Sequence, residues 1–154
     1  DDYQGRSEVI EYNSRFGDPE TQVVLPLLEG DLFEIMQATT DGTLDRVDFS
    51  FADKCACCLV AASEGYPVCL TRRGLRLTLP EKHDRIFIAG SRLEDGVQRT
   101  SGGRVLGVTE VADTLQEAVD KAYATMKTVH FDNMYYRKDN WCESIGCEIG
   151  RNNG

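Results

Sequence analysis

The sequence lacks any long hydrophobic run. None of its 154 residues belongs to a stretch that approaches the ~18 consecutive apolar residues of a membrane helix. The opening letters DDYQ have neither the positive region nor the apolar run of a signal peptide. We therefore expect no membrane span and no export signal. With 41% hydrophobic and 28% charged residues, the composition is typical of one soluble globular domain.

Positive charge is also scarce. The chain has 17 Lys and Arg against 26 Asp and Glu, which gives a net charge of -9. A general nucleic-acid binder needs an excess of basic residues to neutralise phosphates, so the sequence predicts no nucleic-acid partner. Any anionic ligand must be held by locally placed donors, because the overall field repels it.

Regular cysteine spacing is missing as well, although the chain has six cysteines. Adjacent cysteines on a strand point to opposite faces, and secreted disulfide scaffolds are usually shorter, so we expect reduced thiols in a cytoplasmic protein. Buried thiols acting as small hydrophobes are the expectation for the first three. A zinc site that draws on both cysteine groups, at 55–58 and at 142–147, is the alternative, although it lacks the C-x₂-C spacing of structural sites. The cysteines are Cys55, Cys57, Cys58, Cys69, Cys142 and Cys147.

Residues 8–16 are rich in strand-forming side chains and predict a strand. Because side chains alternate along a strand, Glu11, Asn13 and Arg15 would share one face. A carboxylate and an amide about 7 Å apart at the backbone suit Mg²⁺, which prefers oxygen ligands. The planar fork of Arg15 suits a carboxylate or a phosphate. A solvated strand face shows the same pattern, so spacing alone leaves both interpretations open.

Two helices are predicted next. Asp18 is a suitable N-cap and is followed by proline, which favours a helix over 19–28. Asp31 with Glu34 forms a potential capping box for a second helix, which should stop at the Asp-Gly pair 41–42.

The pattern changes to strands from about residue 46. Turn residues separate five strand-like segments, which predict a compact, largely antiparallel sheet: 47–51, 55–62, 86–90, 97–99 and 104–109. Thr114 with Glu117 opens one helix, and we expect it to pack on the sheet. Its apolar stripe consists of Leu115, Ala118, Val119, Ala122 and Met126.

A literal run of letters carries a family resemblance. The segment IEYNSRFGDPETQ at 10–22, and above all RFGDPE at 15–20, resembles the signature of phosphoribosylamine–glycine ligase, an ATP-grasp enzyme of purine biosynthesis. The loop 68–74 departs from the family pattern, and the similarity covers about residues 8–141. Further similar segments lie at 61–67, 89–90, 95–96, 101–106 and 130–139.

The resemblance implies an α+β fold built from the C-terminal part of the enzyme. Residues 1–45 would be the last strand and helices of the ATP-grasp module, and 46–141 a small, mainly antiparallel sheet domain with one packed helix. Residues 142–154 are expected to be a loose tail. The family's adenine-binding lobe and a further acidic magnesium ligand are not in this chain. We therefore expect it to be inactive alone, with the missing N-terminal part of the enzyme as its partner.

The resemblance also implies a reaction. The whole enzyme transfers the γ-phosphoryl group of ATP to the glycine carboxylate, and the amine of phosphoribosylamine then attacks glycyl phosphate. The products are glycinamide ribonucleotide, ADP and phosphate. Carried over residue by residue, Glu11 and Asn13 would hold Mg²⁺ or Mn²⁺, and Arg15 would orient glycine or stabilise its acyl phosphate. Asp18 and Glu20 are expected to serve structure, with substrate contact as the alternative.

A glycine pair precedes the last site candidate. Gly102 and Gly103 permit close backbone approach to an anion, and with Arg104 they predict a pocket for the ribose phosphate. Shaping of a hairpin is the alternative for these glycines. A second function class stays open at this point, namely a non-enzymatic binding module of the same fold organised by the cysteine zinc site.

Overall fold

The computed structural model describes residues 9, 12, 14–68 and 72–138, and the account below concerns these residues. Three α-helices and eight β-strands follow one another with two short 3₁₀ helices, at Leu25–Leu27 and Leu44–Arg46. In chain order they are α1 (Thr21–Val24), β1 (Leu28–Glu29), α2 (Leu32–Asp41), β2 (Ser50–Phe51), β3 (Cys55–Ser63), β4 (Ile86–Ile88), β5 (Ser91–Glu94), β6 (Val97–Thr100), β7 (Arg104–Ala112), α3 (Leu115–Met126) and β8 (Met134–Tyr135).

An antiparallel sheet of four strands, in the order β4-β7-β3-β8, forms the centre of the molecule. The long strands β3 and β7 pair from Cys55 opposite Ala112 to Ala61 opposite Leu106, where the register shifts. This result confirms the predicted largely antiparallel sheet for the segments 55–62, 86–90 and 104–109. The predicted strand 47–51 is reduced to β2, and β2 and β6 lie in separate two-stranded sheets. The sequence pattern missed β5, which pairs with β6 in a hairpin beside the sheet.

Helix α3 packs on the β3 and β7 strands, as predicted. The Thr114 side chain caps it by accepting a hydrogen bond from the Glu117 N–H at 3.3 Å. Burial of its apolar stripe against the sheet removes these side chains from water, which is the main stabilisation available to this domain. The core lies between the helix and the sheet and includes Leu59, Leu106, Val108, Ala118, Val119, Ala122, Met126 and Phe131.

The segment before β3 is built differently from its prediction. Residues 14–16 are not a strand, and the helix predicted over 19–28 is a single turn, α1, followed by the 3₁₀ helix and β1. Pairing of β1 with β2 takes residues 28 and 29 out of helical conformation. Helix α2 is confirmed, because Asp31 accepts from the N–H groups of Phe33 and Glu34 and Gly42 closes it with φ 69°.

Helix α1 contacts β3 and β7. Cys57 belongs to the core with α3, and its neighbour Cys58 points to the other face of β3. The Asp18 carboxylate, just before α1, is close enough to Cys58 to raise the pKa of its thiol. Helix α1 and the turn before it therefore lie on the face of the sheet opposite α3. Among the described residues, no helix has the length and apolar character needed to cross a membrane.

Candidate active-site cavity

The RFGDPE run folds into a tight turn at the start of α1. The Gly17 carbonyl accepts hydrogen bonds from the Thr21 N–H at 3.0 Å and the Thr21 hydroxyl at 2.5 Å. A Cβ atom at Gly17 would lie 1.7 Å from the Glu20 carboxylate, which folds back over it. A larger residue at position 17 would therefore displace the Glu20 side chain from its place over the turn.

Arg104 ties this turn to the central sheet. Its Nη2 lies 3.1 Å from Asp18 Oδ2, and its Nη1 donates to the Asp18 backbone carbonyl at 2.9 Å. The two contacts use the two ends of one guanidinium fork, so they fix direction as well as distance. Residues 86 positions apart are joined at the point where β7 begins.

Asp18 was predicted to cap a helix, and this prediction is wrong. Its other carboxylate oxygen, Oδ1, accepts from Gln22 Nε2 at 2.7 Å. Helix α1 begins later, after Glu20, whose side chain makes no capping bond. The carboxylate is used by two side chains instead of by backbone N–H groups. Asp18 thus serves structure, as expected, but through a different set of contacts.

Two adjoining cavities surround the turn. One of about 450 Å³ is lined by residues 15–20 and Arg104, and its charged side chains include Arg15 and Glu20. The other, of about 600 Å³, shares residues 16–18 and is completed by apolar side chains such as Leu25 and Phe87. A polar compartment beside an apolar one suits a ligand with an anionic end and a less polar body.

The glycine pair before Arg104 is required for packing. A Cβ atom at Gly103 would lie 2.1 Å from the Tyr66 ring, and one at Gly102 would lie 3.2 Å from the Gly90 Cα. The Gly102 N–H donates to the Gly90 carbonyl at 3.0 Å. That amide is therefore not available to an anion, which corrects the predicted contribution of Gly102 to a phosphate pocket. The position of Tyr66 over Gly103 is set by tertiary packing, and no local pattern signals it.

Of the clustered cysteines, Cys57 is buried in the core, whereas Cys55 and Cys58 are partly buried free thiols. Burial raises the pKa of Cys57 from 9.0 to about 11, with a smaller contribution from Cys58. Burial also raises the pKa of Cys58, and a hydrogen bond with the Thr109 side chain lowers it in part. Metal binding requires the thiolate, which a raised pKa disfavours. Within the described part of the chain, no three His, Cys, Asp or Glu residues are grouped to hold a metal ion.

The predicted site residues are only partly brought together. Arg15 and Arg104 line the same cavity. Glu11 and Asn13 lie outside the described residues, as do Cys69 and the tail 142–154. The predicted convergence of Glu11 and Asn13 on one cation with Arg15 thus stays a prediction.

The fold matches that of a known class of enzyme. The structure is similar to a crystal structure of phosphoribosylamine–glycine ligase from Thermotoga maritima, with a TM-score of 0.71 and 34% sequence identity. The match covers 89% of this chain and 34% of that one. The architecture is therefore that of a C-terminal part of such a ligase.

Sequence relatives lead to the same family. A bifunctional purine biosynthetic protein of Schizosaccharomyces pombe is 48% identical over 85% of this chain, and the phosphoribosylamine–glycine ligase of Clostridium acetobutylicum is 45% identical over 85%. Residues 56–140 match the family model for the phosphoribosylglycinamide synthetase C domain, and the chain belongs to this family. It spans 17% of the first relative's length and 32% of the second's.

Proposed function

We propose that this chain is the C-terminal part of a phosphoribosylamine–glycine ligase, which joins glycine to phosphoribosylamine at the expense of ATP in purine biosynthesis. The observation that carries the proposal is the RFGDPE turn held beside a charged cavity by Arg104. Family membership supports it, since the chain resembles ligases of this name in sequence and in structure.

Arg15 and Arg104 supply the positive charge that the substrates need. Glycine carboxylate, acyl phosphate and ribose phosphate are all anions, and the chain as a whole repels anions with its net charge of -9. Two arginines in one cavity provide local donors against that field. We assign Arg15 to the glycine carboxylate or its acyl phosphate, where a fixed guanidinium stabilises the charge that develops in the reaction.

Glu11 and Asn13 would hold a magnesium or manganese ion, which would supply positive charge against the ATP phosphates. Carboxylate and amide oxygens are the ligands that Mg²⁺ accepts while phosphates complete its shell. The ion, when bound, neutralises the phosphates so that the acceptor carboxylate can approach.

The ribose phosphate is assigned to Arg104 and the Gly103 N–H. The Arg104 side chain is 39% exposed, and two of its five donors point to Asp18. The remaining donors are accessible to a phosphate at the edge of the RFGDPE turn. Gly102 is left out of this assignment because its N–H is bound to Gly90.

The domain division and cellular setting follow from the same proposal. Residues up to 45 would belong to the ATP-grasp module and 46–141 to the small domain, in a cytoplasmic enzyme. Several apolar side chains of the first part are exposed, among them Phe33 on α2 at 76% and Phe16 at 53%. Exposed apolar clusters mark contact surfaces, and we propose that the upstream part of the ligase covers them.

A chimeric enzyme tests the function. In the C. acetobutylicum ligase, the matching C-terminal part is replaced by this chain, and ATP-dependent formation of glycinamide ribonucleotide is measured. We expect turnover, and we expect Glu11→Gln to lower it at least ~10-fold, as loss of metal-binding groups does. Glu8→Gln is the matched control, because it removes one carboxylate from the same stretch of sequence without changing a predicted metal ligand.

Two results would overturn the proposal. A folded chimera without turnover contradicts the ligase function, and full turnover of Glu11→Gln contradicts the metal role. Elemental analysis of the purified chain addresses the alternative of a zinc-organised binding module. We expect no stoichiometric zinc, and one zinc per chain would favour that module.

A further inference from the structure

Three arginines form a row across neighbouring strands at the β5–β6 hairpin. Arg92 on β5 lies directly opposite Arg99 on β6, and Arg99 lies opposite Arg76 in the extended segment on its other side. Directly opposed residues of antiparallel strands project to the same face of the sheet. The three guanidinium groups therefore share one face, at intervals of about 5 Å between backbones.

The charge of this row is only partly balanced. Glu94 forms ion pairs with Nε of Arg92 and, at 3.5 Å, with Nε of Arg99. One carboxylate against three guanidinium groups leaves a local charge of about +2, and like charges placed directly opposite each other destabilise a sheet. Arg72 and Arg73 are also exposed, in the segment that leads to Arg76. This concentration of positive charge contrasts with the net charge of -9 of the chain.

Donors of the row remain accessible. Arg99 Nη1 donates to the Gly74 carbonyl at 3.0 Å, which fixes the central guanidinium in place. Glu94 pairs with the Nε atoms of Arg92 and Arg99. The terminal nitrogens of Arg92, whose side chain is 63% exposed, are thus available to a ligand. Arg76 is exposed and has no ion pair within the described part of the chain. The central guanidinium is therefore preorganised, and its neighbours on both sides are accessible to a ligand.

We propose that Arg76, Arg99 and Arg92 form a binding site for an oligophosphate, such as the di- or triphosphate chain of a nucleotide or an inorganic oligophosphate. The row is about 10 Å long, or two strand intervals, which is longer than a single phosphate and suits a chain of them. Guanidinium forks bind phosphate oxygens in pairs, and the ligand supplies the negative charge that Glu94 alone does not. The site is independent of the ligase proposal, because it uses neither Arg104 nor the RFGDPE turn.

Titration calorimetry of the full chain with inorganic tripolyphosphate, in low salt and without divalent metal, tests this site. We expect saturable binding that Arg76→Ala and Arg99→Ala each weaken about 10-fold, because each removes charge-assisted hydrogen bonds to the phosphate oxygens. Arg99→Lys keeps the charge without the fork and should lose a smaller part. Arg46→Ala is the matched control, because Arg46 is also an exposed arginine but lies on a 3₁₀ helix outside the row. This variant should bind tripolyphosphate as the parent chain does.

Two further arms separate the possible sources and sites. A nucleoside triphosphate that binds as tightly as tripolyphosphate indicates recognition of the phosphate chain alone, and tighter binding indicates an added contact to the nucleoside. Binding that survives Arg76→Ala but is lost in Arg104→Ala would be binding at the cavity of the RFGDPE turn and not at the arginine row. The proposal is overturned if the chain does not bind at millimolar tripolyphosphate, if Arg76→Ala binds as the parent does, or if Arg104→Ala abolishes binding. Arg76 is exposed, so its substitution does not endanger the fold.

Discussion

The two parts of this chain differ in where they keep their apolar residues. Across residues 14–54, Gly17 and Ala38 are the only buried positions, and Phe33 and Met36 on α2 face solvent. From β3 to β8 the sheet and α3 enclose a continuous core. The difference shows that the second part carries the stability, while the first part presents surface and site residues.

The largest expected effect is on the core. Leu59 is 2% exposed within β3, and Leu59→Ala should lower the free energy of unfolding by about 2–5 kcal/mol through lost burial and a cavity. Phe33→Ala, on the exposed face of α2, should change it by no more than about 0.5 kcal/mol. Urea unfolding of both variants makes the measurement. Equal losses would mean that the two parts share one core.

The next effect concerns the link between the two parts. Arg104→Lys keeps a positive charge but loses the two-point contact to Asp18. We expect turnover of the chimeric ligase to fall by up to ~100-fold, since a displacement of about 1 Å in a site has that effect. The free energy of unfolding should change by less than about 1 kcal/mol, because both side chains are partly exposed. A large stability loss with unchanged turnover would contradict this positioning role.

The caps of α2 and α3 allow the stability of the two parts to be compared through smaller changes. Thr114→Ala removes the cap of α3, and we expect global stability to fall by about 1 kcal/mol because that helix covers the core. Asp31→Ala removes the cap of α2. It should raise amide exchange within α2 and leave the exchange of β3 unchanged, since α2 can open locally. Hydrogen exchange with both variants distinguishes the two responses, and faster exchange of β3 in Asp31→Ala would contradict the independence of α2.

The smallest effect depends on pH. Burial raises the pKa of Cys57 from 9.0 to about 11, so the folded state keeps a proton that the unfolded state loses between these values. The stability that this provides is fully present below pH 9 and is lost as the pH rises towards 11. Unfolding free energies at pH 8 and 10.5 should therefore differ less in Cys57→Ala than in the parent chain. An identical pH dependence would show that this thiol does not contribute.

The sequence predicted the second part of the fold well because its signals are local. The apolar stripe after Thr114, the Thr114 cap and the strand-like segment 55–62 each depend on neighbours within a few residues, and all are confirmed. Prediction failed for the helix expected over 19–28. There, β1 pairs with β2, some twenty residues further along, and long-range pairing overrides local helix preference.

In the candidate site, too, some features are predicted by local sequence and others depend on long-range contacts. RFGDPE was recognisable as letters, and Arg15 does line a cavity with Arg104. The contact of Arg104 with Asp18 and the packing of Tyr66 over Gly103 join residues that are distant in sequence. No spacing rule predicts such contacts, because they depend on how the turn and the sheet meet.

The amino-acid sequence by itself determined the family resemblance, the antiparallel sheet, the capped helix that covers it and the acidic balance of the chain. These are set by side-chain periodicity, capping and charge, which act over a few residues or over the whole composition. Only the tertiary structure decided that Arg104 fixes the RFGDPE turn, that Gly102 uses its amide internally and that three arginines line up across separate strands. Each of these three features depends on chain segments that burial of a common core brings together. No short segment of the sequence determines that geometry.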